Sequence, residues 1–227
     1  MTSILLIAEA EDSIQQSINR ALMLARYLRA RLDILFCNTE RRYLPLVAQA
    51  PETRAQAREY LESLRKSVTA PDVEITTEAS FEGHLHEQVA HKARRCGSAM
   101  IVKSAERFGS RRRVPIDWPL LQHAPAPVLL TQGRAWHPRA RFAAAVEGET
   151  AADTALPPGI GATLTGLCEA CGAELRLLRW PVRSELDEEI DLLAVLVTDD
   201  PHPPAILLRL TDGQPFLSGC DLLFLRA

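Results

Sequence analysis

The feature that most constrains this chain is an internal repetition, full the first time and abbreviated the second. Two apolar runs 29 residues apart, Ser98-Ala-Met-Ile-Val and Pro127-Val-Leu-Leu, are echoed by two runs 30 residues apart, Asp191-Leu-Leu-Ala-Val and Asp221-Leu-Leu-Phe-Leu. Each pair lies downstream of an apolar run ending in a carboxylate, Ile4-Leu-Leu-Ile-Ala to Glu9 and Phe142-Ala-Ala-Ala-Val to Glu147. From Ile4 to Ile101 is 97 residues, but from Phe142 to Ala194 only 52. A frame repeated at this period predicts two tandem domains, 1–135 and 140–227, the second having lost about a helix and a strand. Gln132-Gly-Arg-Ala-Trp-His-Pro-Arg reads as the linker between them.

Composition narrows the function classes. A chain of 227 residues that is 47% hydrophobic can bury two small cores. A formal net charge of −3 argues against a general nucleic-acid binder. The apolar runs fall far below the roughly 20 residues that cross a bilayer, so no membrane association is expected. Met1-Thr-Ser-Ile-Leu-Leu-Ile-Ala-Glu has neither a basic region nor a cleavage site, and five scattered cysteines suit reduced thiols. These features together predict a soluble, cytoplasmic protein.

In the first domain, residues 4–8 form a continuous apolar run that suits a strand buried on both faces. Asp12 and Gln15 read as a capping box opening a helix, with Ile14, Ile18, Ala21, Leu22, Ala25 and Leu28 as its core face. Leu32 to Phe36 is the next strand, and Pro51 opens a second helix with Tyr60, Leu61 and Leu64 on its apolar stripe. Val73 to Thr77 reads as a strand and Gly83 to Cys96 as a helix stopped by Gly97. Ser98 to Lys103, Ile116 to His123 and Pro127 to Thr131 complete the series as strand, short helix and strand. Right-handed crossovers turn this alternation into a doubly wound parallel sheet.

The second domain reads as a four-stranded remnant. Its strands are Phe142 to Val146, Leu175 to Arg179, Leu192 to Thr198 and Leu222 to Leu225. One helix starts near Leu156 or Thr163 and runs to Cys171, stopped by Gly172; another lies around Ala205 to Leu210. Pro181 to Ile190 stand where the first domain has a helix, a strand and a helix. Such a remnant is expected to need cover for an exposed edge.

Ile4-Leu-Leu-Ile-Ala-Glu, an amphipathic helix and Ala30-Arg-Leu-Asp-Ile-Leu together resemble the opening of universal stress proteins. Cys96-Gly-Ser-Ala-Met-Ile-Val and His123-Ala-Pro-Ala-Pro-Val-Leu-Leu-Thr resemble that family's fourth strand and its closing strand. The order Lys103, Asp117-Trp118, Leu120-Leu121 and Pro125-Ala-Pro-Val is similar to the tandem, E-type branch. The resemblance implies two tandem adenine-nucleotide alpha-hydrolase-like α/β domains, the second truncated and degenerate.

One departure from that family bears on function. Its nucleotide-binding members carry G-x2-G-x9-G-S/T after the fourth strand, where glycines let backbone N–H groups approach phosphate. Here the segment Lys103-Ser-Ala-Glu-Arg-Phe-Gly-Ser-Arg-Arg-Arg-Val-Pro-Ile-Asp-Trp holds one glycine, Gly109. The second-domain counterpart, Thr198-Asp-Asp-Pro-His-Pro-Pro, offers two carboxylates that repel phosphate and three prolines without N–H donors.

Ligands of such sheets bind beyond the carboxyl ends of the central strands. In the first domain that edge gathers Glu9, Asn38, Lys103, Ser104 and the loop carrying Arg111, Arg112 and Arg113, the candidate ligand-binding residues. Arginines there would hold an anion in place of the missing backbone cradle, or belong to a solvated basic loop. Glu9 would bond a base or ribose, as the family's acidic residue does, or cap the neighbouring helix. No metal site is assigned; His84, His86, Glu87, His91 and Cys96 include plausible zinc ligands, with His84 and His86 the weak candidates, but side chains two apart on a helix diverge and His91 lies more than a turn further on. Cys168-Glu-Ala-Cys171 has redox or metal spacing but falls at a helix end with no second pair, and cysteine at an apolar helix position is usually core.

No nucleophile elbow, metalloprotease helix or Walker sequence is present, so no catalytic residue is assigned. The expectation is a non-enzymatic stress-response factor, without a cofactor, that binds a small ligand or protein partner. It would form a homodimer or pair its two domains within one chain, with Pro127–Thr131 and Asp221–Leu225 as the pairing strands. The alternative is an ATP- or nucleotide-binding, weakly hydrolysing protein that uses Glu9, Lys103 and the arginine loop.

Overall fold

A computed structural model describes residues 2–8, 14–37, 53–68, 70–81, 83–105, 118–132, 134–147, 156–180, 190–197 and 220–226. The chain divides into two compact units. The first comprises residues 1–104 and 123–128, the second 105–122 and 129–227.

In the first unit, β1 (Ser3–Ala8) is buried along its whole length, as a strand covered on both faces must be. It pairs in parallel with β2 (Arg31–Cys37) on one side and with β4 (Ser98–Ser104) on the other. The β3 strand (Ile75–Ser80) pairs in parallel with β2, which gives the order β3-β2-β1-β4. Reversal of strand order at β1 is the doubly wound pattern expected from the alternation. Leu5, Leu6, Leu32, Ile34, Ile101 and Val102 are essentially inaccessible and form the centre of this core. Each contributes about 1.5–3 kcal/mol of burial free energy.

Three helices connect these strands. Helix α1 (Ile14–Tyr27) buries Ile18, Ala21, Leu22, Leu24 and Ala25, close to the face read from the sequence. Its proposed capping residue Asp12 lies outside the described residues. The chain leaves α1 through Arg29 at φ 49°, a left-handed conformation normally left to glycine. Helix α2 (Arg54–Ser67) is opened by Thr53, whose side chain accepts from the Gln56 N–H while Gln56 Oε1 accepts from Thr53 N. Pro51 lies outside the described residues. Helix α3 (Leu85–Cys96) ends at Gly97, with φ 60°, as its position predicts.

β3 departs from the expectation. The sequence places a strand at Val73 to Thr77, whereas the observed strand runs from Ile75 to Ser80. Val73 closes the preceding turn, its N–H donating to the Ala70 carbonyl at 3.2 Å. The polar run Thr76–Ser80 is carried into the sheet by register with β2, Asp33 facing Thr76 and Cys37 facing Ser80. Apolar patterning cannot mark such a strand, because Asp33 makes it polar: the buried carboxylate accepts from Thr76 Oγ1 and from Arg31 Nε.

In the second unit, β6 (Arg141–Glu147) pairs in parallel with β7 (Glu174–Trp180) and β8 (Leu192–Val197), and β8 with β9 (Asp221–Arg226). With β5 (Val128–Thr131) the order is β5-β9-β8-β6-β7. Helix α4 (Trp118–His123) precedes β5. Helix α5 (Pro158–Cys171) joins β6 to β7, buries Ile160, Leu164, Leu167 and Cys168, and stops at Gly172 with φ 62°. Among the described residues no strand flanks the outer side of β7, and Leu177 on it is 49% exposed. The helix expected around Ala205 to Leu210 lies outside the described residues.

The linker forms an unforeseen anchor. Asp191 and Asp221, which start the two echoed runs, are fully buried. Asp191 Oδ1 accepts from His137 N at 3.1 Å and lies 2.8 Å from His137 Nδ1, while Oδ2 accepts from Arg141 N at 3.0 Å. Arg134 Nη2 lies 3.5 Å from the same carboxylate and donates to the Ile190 carbonyl at 2.8 Å. Asp221 accepts from Gln132 N and from Trp136 Nε1, each at 2.9 Å. Trp136 also stands edge-on to Phe142, with ring centroids 4.9 Å apart. Gln132, Arg134, Trp136 and His137 of the segment 132–139, read from the sequence as the linker, are therefore held by two buried carboxylates of the second unit.

Candidate functional site

The carboxyl edge of the first unit is set by strand register. Leu6 faces Val102 and Ala8 faces Phe36, so Lys103 and Ser104 end β4 at the level where β1 and β2 end. Lys103 is completely buried, and its Nζ donates to the Ser104 carbonyl at 3.3 Å. Ser104 is buried beside it. An ammonium group is costly to withdraw from water, so its place at this edge is a chemical feature of the site as well as a packing one. Glu9, Asn38, Arg111, Arg112 and Arg113 lie outside the described residues, as do Asp117 and the second-domain segment 198–204. Of the residues assigned to the edge, the described structure thus places Lys103 and Ser104.

The same edge carries the turn from β3 into α3, where the structure corrects the argument made for His84 and His86. His84 is the residue capping α3, with φ −93° and ψ 150°, and lies outside the helical conformation. Helical divergence therefore does not apply to this pair. The two rings stack, with centroids 5.6 Å apart and planes 14° from parallel. His123, 37 residues beyond His86, also lies against His86, with centroids 5.3 Å apart and planes tilted by 32°. His84 and His123 are exposed, and His86, which contacts both, is half-buried. Burial, followed by the neighbouring His123 and His84, holds the His86 imidazole below its usual range against the opposing pull of Glu87. No sequence spacing connects position 123 to 84 and 86; only the fold brings them together. Among the described residues no group of three or more His, Cys, Asp or Glu side chains is placed to hold a metal ion.

The cysteines are all free thiols. Cys168 is buried on the core face of α5, and burial pushes its thiol up, away from the reactive thiolate. Cys171, at the end of the same helix, is half-buried. Among the described residues no helix is long and apolar enough to cross a membrane.

No protein-family model and no curated protein matches this sequence. Solved structures do resemble it. Two are from Pseudomonas aeruginosa, one described as functionally unknown and one as a candidate universal stress protein. Each is 17% identical, with a TM-score of 0.63 over 99% of this chain and 92% of that one. A universal stress protein from Archaeoglobus fulgidus is 11% identical, with a TM-score of 0.60 over 99% of this chain and 98% of its own. Likeness at this identity speaks for the fold alone, and the fold is universal stress protein-like.

Proposed function

We propose that the chain is a non-enzymatic, universal stress protein-like factor of the stress response that binds a small ligand or a protein partner, with the nucleotide phosphate loop lost. Lys103 carries the ligand reading: a fully buried ammonium ends the central strand β4 at the edge where sheets of this class take their ligands. The single glycine of the 103–118 segment supports loss of the phosphate cradle, because side chains there keep backbone N–H groups away from an anion. The second unit is a shortened copy that serves pairing. Its parallel order β7-β6-β8 follows β2-β1-β4 of the first unit.

The same lysine favours a second reading, in which a nucleotide phosphate is held by Lys103 and Arg111–Arg113 without the glycine loop. Native mass spectrometry of the freshly purified chain, repeated with added ATP, separates the two. A bare chain or a bound non-nucleotide mass is expected. One ATP per chain, lost in the Arg111→Ala/Arg112→Ala/Arg113→Ala variant, would establish the nucleotide reading instead.

A further inference from the structure

We propose that His84, His86 and His123 form a proton-sensitive latch, in which neutral His86 holds the start of α3 to the segment leading into β5 and protonated His86 releases it. Three observations carry this. First, the rings come from two stretches far apart in sequence, and both stretches, residues 84–86 and 123–128, belong to the first unit. The ring contacts at 5.6 and 5.3 Å therefore tie the β3–α3 turn to the approach to β5.

Second, the latch is electrically unbalanced. The described charged or titratable groups acting on His86 are His123, His84 and Glu87. Glu87 is exposed, and its Oε2 accepts from the His84 N–H at 3.2 Å, so it is already engaged in capping the helix. One solvated carboxylate already engaged in a cap is a weak counter-charge for a protonated His86 packed against two further rings, and cations at this spacing repel. Because the closed arrangement favours neutral His86, it is fully stable above the ordinary imidazole value of about 6.5 and weakens as pH falls through that value.

Third, the foot of the latch is braced locally. Gly83 holds φ 71°, and a Cβ there would meet Gln88 Nε2 at 3.0 Å and Glu87 Oε2 at 3.2 Å. The backbone at the foot of the latch is thus set by glycine and by the first turn of α3, and Ser80 Oγ bonds Gln88 Oε1 at 3.0 Å. Release of the rings frees the turn at the carboxyl edge without disturbing the buried strands.

Amide hydrogen exchange of the full chain tests this, read as protection factors so that the intrinsic pH dependence cancels. Between pH 7.5 and 5.5, the amides of residues 85–88 and of Ala124, Ala126 and Val128 should lose at least about threefold in protection. That is the factor two unit charges at this separation produce even in bulk water. Amides of β1 and β2 should not change. His86→Phe keeps a ring in the stack and removes the charge, so its protection should be flat with pH; His123→Phe, at an exposed position, should blunt the change in the same way. A flat wild-type profile, or an unaltered drop in both variants, would overturn the proposal.

Discussion

Asp191→Ala should destabilise the second unit by about 3–4 kcal/mol. The carboxylate is fully buried and accepts from two backbone N–H groups, those of His137 and Arg141, with the His137 ring and Arg134 beside it. Truncation leaves both N–H groups without this acceptor, and a buried donor left unsatisfied costs about 1–3 kcal/mol. It also removes the charge facing Arg134, and breaking a buried pair on one side costs about 3–5 kcal/mol. Arg134 is 35% exposed at its side chain and recovers part of that loss from water, which sets the estimate below the sum. Asp191→Asn keeps the shape and one acceptor oxygen but presents an N–H2 group to a backbone donor, so about half the loss is expected. Urea unfolding followed by tryptophan fluorescence measures both variants, and at this chain length each kcal/mol moves Tm by about 2–4 °C. His137→Ala should cost less, and its cycle with Asp191→Ala should show coupling above about 0.5 kcal/mol. An Asp191→Ala midpoint within about 0.5 kcal/mol of wild type would refute the anchor.

Acid should weaken the first unit through Asp33 and Glu78. Burial raises both carboxyls, yet hydrogen bonds from Thr76 and Ser3 and the Lys92 charge outweigh it at Asp33, as contacts with Lys92 and Arg95 do at Glu78, leaving both below their usual range. Their contribution is therefore complete above the unfolded values of about 3.9 and 4.3 and is lost as pH falls through the lower folded values. Circular dichroism from pH 6 to 2 should show a decline confined below about pH 4 that Lys92→Met shrinks. Arg29→Gly should stabilise by about 0.5–1 kcal/mol by relieving the positive φ at the end of α1, measured as a rise in urea midpoint. Leu129→Pro, in the fully buried β5, should cost about 3 kcal/mol or more by removing a ladder donor, and normal folding of that variant would refute the strand.

The legible parts of this fold are those where one kind of physics dominates locally. The continuous apolar run at Ile4–Ala8 marks a strand because both of its faces are covered, and Gly97 and Gly172 mark helix ends because both adopt positive φ. The β3 strand was placed two residues early because its side chains answer to Asp33, a partner in another strand. His123 was invisible as a neighbour of His86 for the same reason: no local periodicity carries a contact between residues 37 positions apart. Of the candidate edge, Lys103 was legible as a polar interruption at the end of an apolar strand, but its complete burial was not.

The echoed Asp-Leu-Leu runs show how a pattern can be seen and its purpose missed. Apolar residues at those positions announce strands, so the sequence presents the two aspartates as markers of a frame. Their chemistry is the larger finding. In the first unit Ser98, at the position echoed by Asp191, exchanges a single hydroxyl contact with Ser3 at 3.0 Å. In the second unit the same position carries a buried carboxylate, and a second carboxylate stands at the start of β9, its N–H donating to the Asp191 carbonyl at 2.9 Å. Two buried charges are expensive unless satisfied, and here backbone and side-chain donors of residues 132–141 satisfy them. Folding of the second unit therefore draws on the linker, and any separation of the two halves should be made before Gln132, since a cut at 135 takes Gln132 from Asp221 and Arg134 from Asp191, and a cut at 140 takes Trp136 and His137 as well and leaves Asp191 only the Arg141 N–H.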